Sequence, residues 1–167
     1  MNGAQAVERA RSLFLEEGHG YGCAETALCV LKEAFELPDP SDPSAAMALN
    51  GGIAYAGDAC GAISGSAIAA GLLAGRRIPD HALAKRTARR VTSDLISGFR
   101  SEFGSISCRE LTGRDLGTKK QHDEFIASGI WRSTCLRQIE FAVYRLAALA
   151  EPDVWAGVVE TEANDAA

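Results

Sequence analysis

The sequence predicts an all-α protein, a single-domain helical bundle with a central helix rich in Gly and Ala. Three observations predict this class. Apolar residues recur at intervals of three and four in several segments, which is the period of an amphipathic helix. No segment of useful length alternates apolar and polar residues as a strand does. Breaks that contain Gly or Pro separate the helical segments, and 167 residues are a normal size for one domain with a core.

The first half of the chain is predicted to be helical over residues 4–17, residues 23–37, residues 44–49 and a small-residue run that ends at Gly75. That run holds only Gly, Ala, Ser and aliphatic residues after its cysteine, so other groups can approach it closely. Asp58 is expected to cap this central helix, which would place Cys60 in its first turn.

The second half is predicted to hold a long helix over residues 81–103, a short helix that begins at Cys108, a partly helical segment over residues 116–126 and a final helix that starts at Cys135. Ser107 and Glu110 are spaced as a capping box around the start of the short helix. Ser133 and Thr134 are suited to cap the final helix.

Two parts are expected, a four-cysteine helical domain over residues 1–151 and an acidic, flexible tail over residues 152–167. The tail contains no Lys or Arg, and we expect disorder from Glu160 onward. The long helix carries a basic patch made of Lys85, Arg86, Arg89 and Arg90. We interpret this patch as a solvated face rather than as a docking surface for an acidic partner.

The formal net charge is −5, so neither nucleic acid nor an anionic membrane is an expected partner. Glu8, Arg9 and Arg11 interrupt the first stretch, so no export signal is expected. The longest uncharged run, residues 59–75, is too short and too rich in Gly and Ser to predict membrane insertion. We therefore expect a cytoplasmic protein, in which five cysteines are more typical of metal binding or redox chemistry than of structural disulfides.

Four cysteines share one local context, because each lies at the start of a predicted helix: Cys23, Cys60, Cys108 and Cys135. A helix N-terminus carries about half a positive charge. If the four helix starts converge, their field should lower the pKa values of the thiols, or stabilise an anionic centre that thiolates bind. Cys29 lies inside a helix and is predicted to be a core residue.

The spacing of these cysteines is long, and no Cys-x-x-Cys occurs. Zinc ribbons and thioredoxin-type motifs use close cysteine pairs, and ferredoxins have their own short spacings. Spacing alone therefore gives only weak support for a metal site.

The order of the motifs is more specific than their spacing. The relevant stretches are residues 20–27, residues 51–53, residues 60–65 (Cys-Gly-Ala-Ile-Ser-Gly), residues 103–111 and Cys135. Together they resemble the family of redox-active proteins described by the pattern Cys, then Cys-Gly-Ala-x-x-Gly, then Cys, then Cys. The chain departs from this family at Gly22, where many members have Asn, and in the residues around the last Cys. The resemblance implies redox activity through Cys23, Cys60, Cys108 and Cys135.

Three hypotheses follow for these cysteines. The first is an iron–sulfur cluster for electron transfer or sensing, because four Cys thiolates are the usual ligand set of such clusters. Gly61 and Gly65 are then expected to leave room and to offer backbone N–H donors near the sulfides. The second is thiol–disulfide chemistry without a metal. The third is a structural four-Cys zinc site.

The sequence leaves the partners of this chemistry open. A redox partner is expected, but its identity cannot be read from the chain. The small-residue helix would suit a homodimer, although packing within one chain explains its composition as well. His19 is interpreted as an exposed loop residue rather than as a ligand. No catalytic triad or phosphate-binding loop occurs, so an enzymatic activity is not established.

Overall fold

A computed structural model describes residues 1–16 and 20–165 and confirms the all-α class. The helices are α1 (Gly3–Leu15), α2 (Cys23–Ala34), α3 (Gly61–Arg77), α4 (His81–Phe103), α5 (Cys108–Thr112), α6 (Lys119–Ser128), α7 (Thr134–Ala147) and α8 (Pro152–Asn164). Short 3-10 turns occupy Ser44–Leu49, Ile130–Arg132 and Ala148–Ala150. Over the described ranges the chain forms no strand beyond one isolated bridge between Ala59 and Ser107. Over the same ranges, none of the helices combines the length and the apolar character that crossing a membrane requires.

Helices α2 and α3 form the centre of the bundle. Helix α2 packs against α1, α3 and α7, and α3 packs against α2, α4 and α7. The largest fully buried apolar side chains come from α2, α3, α4 and α7, namely Leu28, Leu31, Leu73, Phe99 and Ile139. A β-carbon at Gly65 would lie 2.1 Å from the carbonyl oxygen of Ala24, so only glycine allows α2 and α3 to approach this closely.

Several predicted helix ends are confirmed by their capping contacts. Helix α4 has the expected bounds, and the side chain of Asp80 accepts the backbone N–H of Leu83 at 2.7 Å. Ser107 caps α5 by accepting the backbone N–H of Glu110 at 3.4 Å. These local contacts set where the chain enters each helix.

The predicted cap of α3 is wrong. Cys60, not Asp58, is the N-cap residue, and the helix begins at Gly61. The backbone of Asp58 is used elsewhere: its carbonyl accepts the N–H of Cys108 at 2.6 Å, and its own N–H donates to the carbonyl of Gly52 at 3.0 Å. Tertiary pairing therefore holds this segment extended up to Cys60 and delays the start of the helix.

The disorder expected from Glu160 onward is also wrong for the described residues, because α8 continues to Asn164, and residues 166 and 167 lie outside the described part of the chain. Its acidic residues face the basic patch of α4. Arg90 pairs with Asp165 at 2.9 Å, and Arg86 pairs with Glu162 at 3.5 Å. The acidic segment thus packs on the chain's own basic helix. The boundary expected at residue 151 stays a prediction.

Candidate cysteine centre

The four cysteines at helix starts lie where the sequence predicted them. Cys23 is the first residue of α2, Cys60 directly precedes α3, Cys108 opens α5, and Cys135 is the second residue of α7. The last three are buried, and Cys23 is half-buried. Cys23, Cys108 and Cys135 line one cavity, and Cys60 directly precedes Gly61, where a β-carbon would lie 2.4 Å from the Cys23 sulfur. All five cysteines are free thiols.

A short backbone pairing joins two of these cysteines. Ala59 and Ser107 form an antiparallel bridge. On either side of it, the N–H of Cys60 donates to Ile106 at 2.8 Å, and the N–H of Cys108 donates to Asp58 at 2.6 Å. The starts of α3 and α5 are therefore held side by side, although Cys60 and Cys108 are far apart in sequence.

Close contacts with glycine surround Cys23 and Cys108. A β-carbon at Gly61 would lie 2.4 Å from the sulfur of Cys23, and one at Gly52 would lie 2.8 Å from the β-carbon of Cys108. Backbone N–H groups around Cys23, that of Gly51 foremost, act to lower the pKa of its thiol, although burial outweighs them.

Asn50 supplies the cap that α2 lacks. Gly22, the N-cap residue, has no side chain, and the Oδ1 atom of Asn50 accepts the backbone N–H of Ala24 at 3.0 Å. The same oxygen lies 4.0 Å from the sulfur of Cys23. The buried carboxylate of Glu25 accepts the Nδ2 group of Asn50 and the N–H of Gly22, each at 2.8 Å. This network fixes the first turn of α2, where Cys23 lies.

Gln138 is the side-chain partner of Cys60. It is buried on α7, and its Oε1 atom lies 3.5 Å from the sulfur of Cys60, so it accepts the S–H of the thiol. If Cys60 becomes a thiolate, rotation of the amide would present its NH₂ group to the sulfur instead. Gln138 therefore suits either protonation state of Cys60.

Burial decides the protonation of these thiols. It raises the pKa of Cys108 to about 12 and the pKa of Cys135 further, and in both cases the neighbouring charge of Cys23 adds to the effect. Burial also raises the pKa of Cys60 well above its ordinary value. It raises the pKa of Cys23 as well, although nearby backbone N–H groups act to lower it. The expectation that helix ends would lower these pKa values is wrong, because desolvation outweighs the helix field.

A strained turn lies beside Cys23. Five consecutive residues, Gly51 to Tyr55, have positive φ angles, and Ile53, Ala54 and Tyr55 do so without being glycine. The left-handed conformation costs an L-residue roughly 1–2 kcal/mol. The turn positions the N–H of Gly51 toward the Cys23 sulfur, and the ring of Tyr55 rests on Gly51. Such strain is typical of functional sites.

A cavity of about 520 Å³ opens over the cysteines. Cys23, Cys108 and Cys135 line it together with several aromatic side chains. The rings of Tyr55 and His122 meet at 4.8 Å. His122 is half-exposed and lines this cavity, although no motif in the sequence marks it as a site residue.

The remaining candidate residues lie away from the sulfurs or outside the described chain. The open side of Gly65 faces the backbone of Ala24, so its role is helix packing rather than room beside the cysteines. Cys29 is buried as predicted, and the charges that act most on it are those of Lys32 and Glu25. His19 lies outside the described residues. Across residues 1–16 and 20–165, no three His, Cys, Asp or Glu side chains are arranged to hold a metal ion as they stand.

Sequence reasoning missed the residues that reach the centre from a distance. Asn50 precedes Gly51 and Gly52, a pattern that predicts the end of a helix rather than a capping residue. Gly22 has no side chain, so it indicates that another residue must cap α2. Gln138 lies three residues after Cys135, on the same face of α7, and this spacing could have identified it. The aromatic cavity had no local signal, because its walls come from segments that are distant in sequence.

Comparison with known families agrees with this arrangement of cysteines. Residues 21–149 match the family described as "Putative redox-active protein (C_GCAxxG_C_C)". Neither the curated proteins nor the solved structures include a match to this chain. The matched region covers most of the chain and includes all four cysteines of the centre. The chain therefore belongs to the C_GCAxxG_C_C family of redox-active proteins.

Proposed function

We propose that this protein binds an iron–sulfur cluster through Cys23, Cys60, Cys108 and Cys135 and uses it for electron transfer or sensing. The observation that carries the proposal is that four cysteines lie at the starts of four helices. Cys23, Cys108 and Cys135 line one cavity, and backbone hydrogen bonds join the chain at Cys60 to the chain at Cys108. Thiolates are the usual ligands of such clusters. When bound, the cluster would supply one-electron chemistry.

The surroundings of the cysteines suit such a group. Backbone N–H groups at Cys23 would stabilise negative charge on a ligated sulfur, and such hydrogen bonds tune cluster potentials. The raised thiol pKa values do not prevent ligation, because a coordinating metal deprotonates the thiol outright and releases the proton. The four sulfurs would have to adjust toward a common centre, since they do not surround one ion as they stand within the described chain.

Thiol–disulfide chemistry is the second candidate, and one observation favours it. Cys23 is half-buried, faces the cavity and has N–H donors that stabilise a thiolate. Two thiols would lose two electrons and two protons to an external acceptor and form one disulfide. The raised pKa values of the buried partners oppose this route, because the thiolate is the reactive form.

The matched pair Cys60→Ser and Cys29→Ser tests the ligand assignment. Both variants are purified without oxygen, and their visible absorbance is compared with that of the natural protein. We expect Cys60→Ser to lose the cluster absorbance and Cys29→Ser to retain it, with only a packing cost. The assignment is wrong if Cys29 is required and Cys60 is dispensable.

A further inference from the structure

Two pairs of aromatic side chains line the cavity over the cysteines. In one pair the rings of Trp131 and Phe14 meet edge to face, with centroids 5.3 Å apart. Tyr55 and His122 form the second pair, and Tyr55 is 42% exposed. Aromatic faces that line a concave opening are typical of a small-molecule site.

The size of the cavity limits what it can hold. Its volume of about 520 Å³ lies within the range of drug-sized ligand sites. Walls made of flat rings favour planar ligands, which stack on them without losing rotamer freedom. The volume and the walls together fit a molecule of two or three fused rings.

The polar groups at the opening favour a ligand that accepts hydrogen bonds. Arg132 lies over the ring of Trp131, with its guanidinium 4.5 Å from the ring centroid. His122 and the Tyr55 hydroxyl add donors. Two acidic residues also line the cavity, and both are engaged. The carboxylate of Glu25 accepts hydrogen bonds from Gly22 and Asn50, and Glu16 also takes part in an interaction.

From these observations we infer that the cavity binds a planar, polycyclic aromatic molecule with acceptor oxygens, held between Trp131 and the Tyr55–His122 pair against Cys23, Cys108 and Cys135. The inference concerns binding alone. It does not require a cluster at the cysteines, so its failure and the failure of the proposed function are distinguishable.

Anthraquinone-2-sulfonate is a suitable probe, because it is planar, carries acceptor oxygens and has no open quinone position that alkylates thiols. The chain has two tryptophans, and Trp155 is buried near Arg77, away from the cavity. Trp155→Phe leaves Trp131 as the only tryptophan, and Trp131→Phe leaves Trp155 as the only one; both are excited at a wavelength that tyrosine does not absorb. We expect the probe to quench Trp131 saturably and to leave Trp155 largely unquenched. For a ligand of about 20 non-hydrogen atoms, the expected Kd is on the order of 10–100 µM.

Calorimetric titration of the oxygen-free protein separates this site from surface adsorption. Tyr55→Ala should weaken binding about tenfold, and Arg132→Gln should weaken it as well. Tyr144→Ala removes a more exposed tyrosine outside the cavity and should have no effect. Circular dichroism confirms that each variant folds. Equal quenching of both tryptophans, equal weakening by Tyr144→Ala, or no heat up to about 1 mM probe would overturn the inference.

Discussion

At the scale of single residues, Asn50 compensates for the missing side chain of Gly22. A β-carbon at Gly22 would lie 2.2 Å from the Oδ1 atom of Asn50. Asn50 therefore occupies the space where a side chain at position 22 would begin, and it caps the same helix by accepting the N–H of Ala24. The departure from the family pattern at Gly22 thus has a structural explanation.

A double-mutant cycle tests this compensation. Gly22→Asn should destabilise the protein, because its side chain collides with Asn50. Asn50→Ala should cost about 1 kcal/mol through loss of the cap. The double variant should be more stable than the sum of the two changes predicts, by about 1 kcal/mol. Urea unfolding of the four proteins measures the coupling, and simple additivity would show that Asn50 does not substitute for a cap at position 22.

The residues of the centre form two groups: those that the local sequence identifies, and those that act through contacts between residues distant in sequence. Each of the four cysteines carried a local signal, a helix start, and the sequence predicted all four positions. Asn50 reaches Ala24 across 26 residues, and Gln138 reaches Cys60 across 78. Contacts at such separations leave no trace in local periodicity, so only the fold reveals them.

At the scale of elements, the left-handed turn beside Cys23 is the main strained segment. Ile53 has a φ of 63° and is 45% exposed. A β-branched side chain is among the least suited to this conformation. The turn is held by backbone bonds, including the N–H of Ala54 to the carbonyl of Ala48 at 2.8 Å.

Replacing Ile53 with Gly should therefore stabilise the protein. The change removes a conformational cost of roughly 1–2 kcal/mol, offset by about 0.5–1 kcal/mol of added chain entropy in the unfolded state. We expect a net gain of up to about 1 kcal/mol in the free energy of unfolding, measured with urea.

Ile126→Gly is the matched control. Ile126 is exposed to a similar extent, at 47%, but lies in helix α6. There the same substitution should destabilise the protein by about 0.5–1 kcal/mol. A loss of stability in both variants would show that the turn at Ile53 is not strained.

Elements were predicted best where capping and periodicity agree, as in α4. The start of α3 was misplaced because the bridge between Ala59 and Ser107 holds the chain extended. The end of α8 was missed because its acidic residues looked unpaired in sequence, whereas Arg86 and Arg90 of α4 pair with them. In both cases a tertiary contact overrides the local pattern.

At the scale of the whole molecule, the bundle keeps the free thiols protonated. Burial raises the pKa of Cys108 from 9.0 to about 12 and shifts the other cysteines in the same direction. A pKa that is higher in the folded state means that the folded protein holds its protons more tightly than the unfolded chain. The resulting stability is complete below the unfolded pKa, near 9, and is lost as the pH rises toward 12.

The metal-free, reduced protein should therefore lose stability between about pH 7.5 and about pH 10, and Cys108 alone should account for about 1 kcal/mol of this loss. Urea unfolding at the two pH values measures this loss. Cys108→Ala removes this thiol, so the variant should lose about 1 kcal/mol less stability than the natural protein over the same pH interval. An unchanged loss in this variant would show that Cys108 ionises normally in the folded protein.

The most direct test of the central claim is to count iron and acid-labile sulfide per chain in protein purified without oxygen. The account predicts a brown protein in which iron and sulfide are present in matched amounts. Zinc without sulfide would make the centre structural and contradict the claim. Colourless, metal-free protein whose thiol count falls reversibly on oxidation would also contradict it, in favour of thiol–disulfide chemistry.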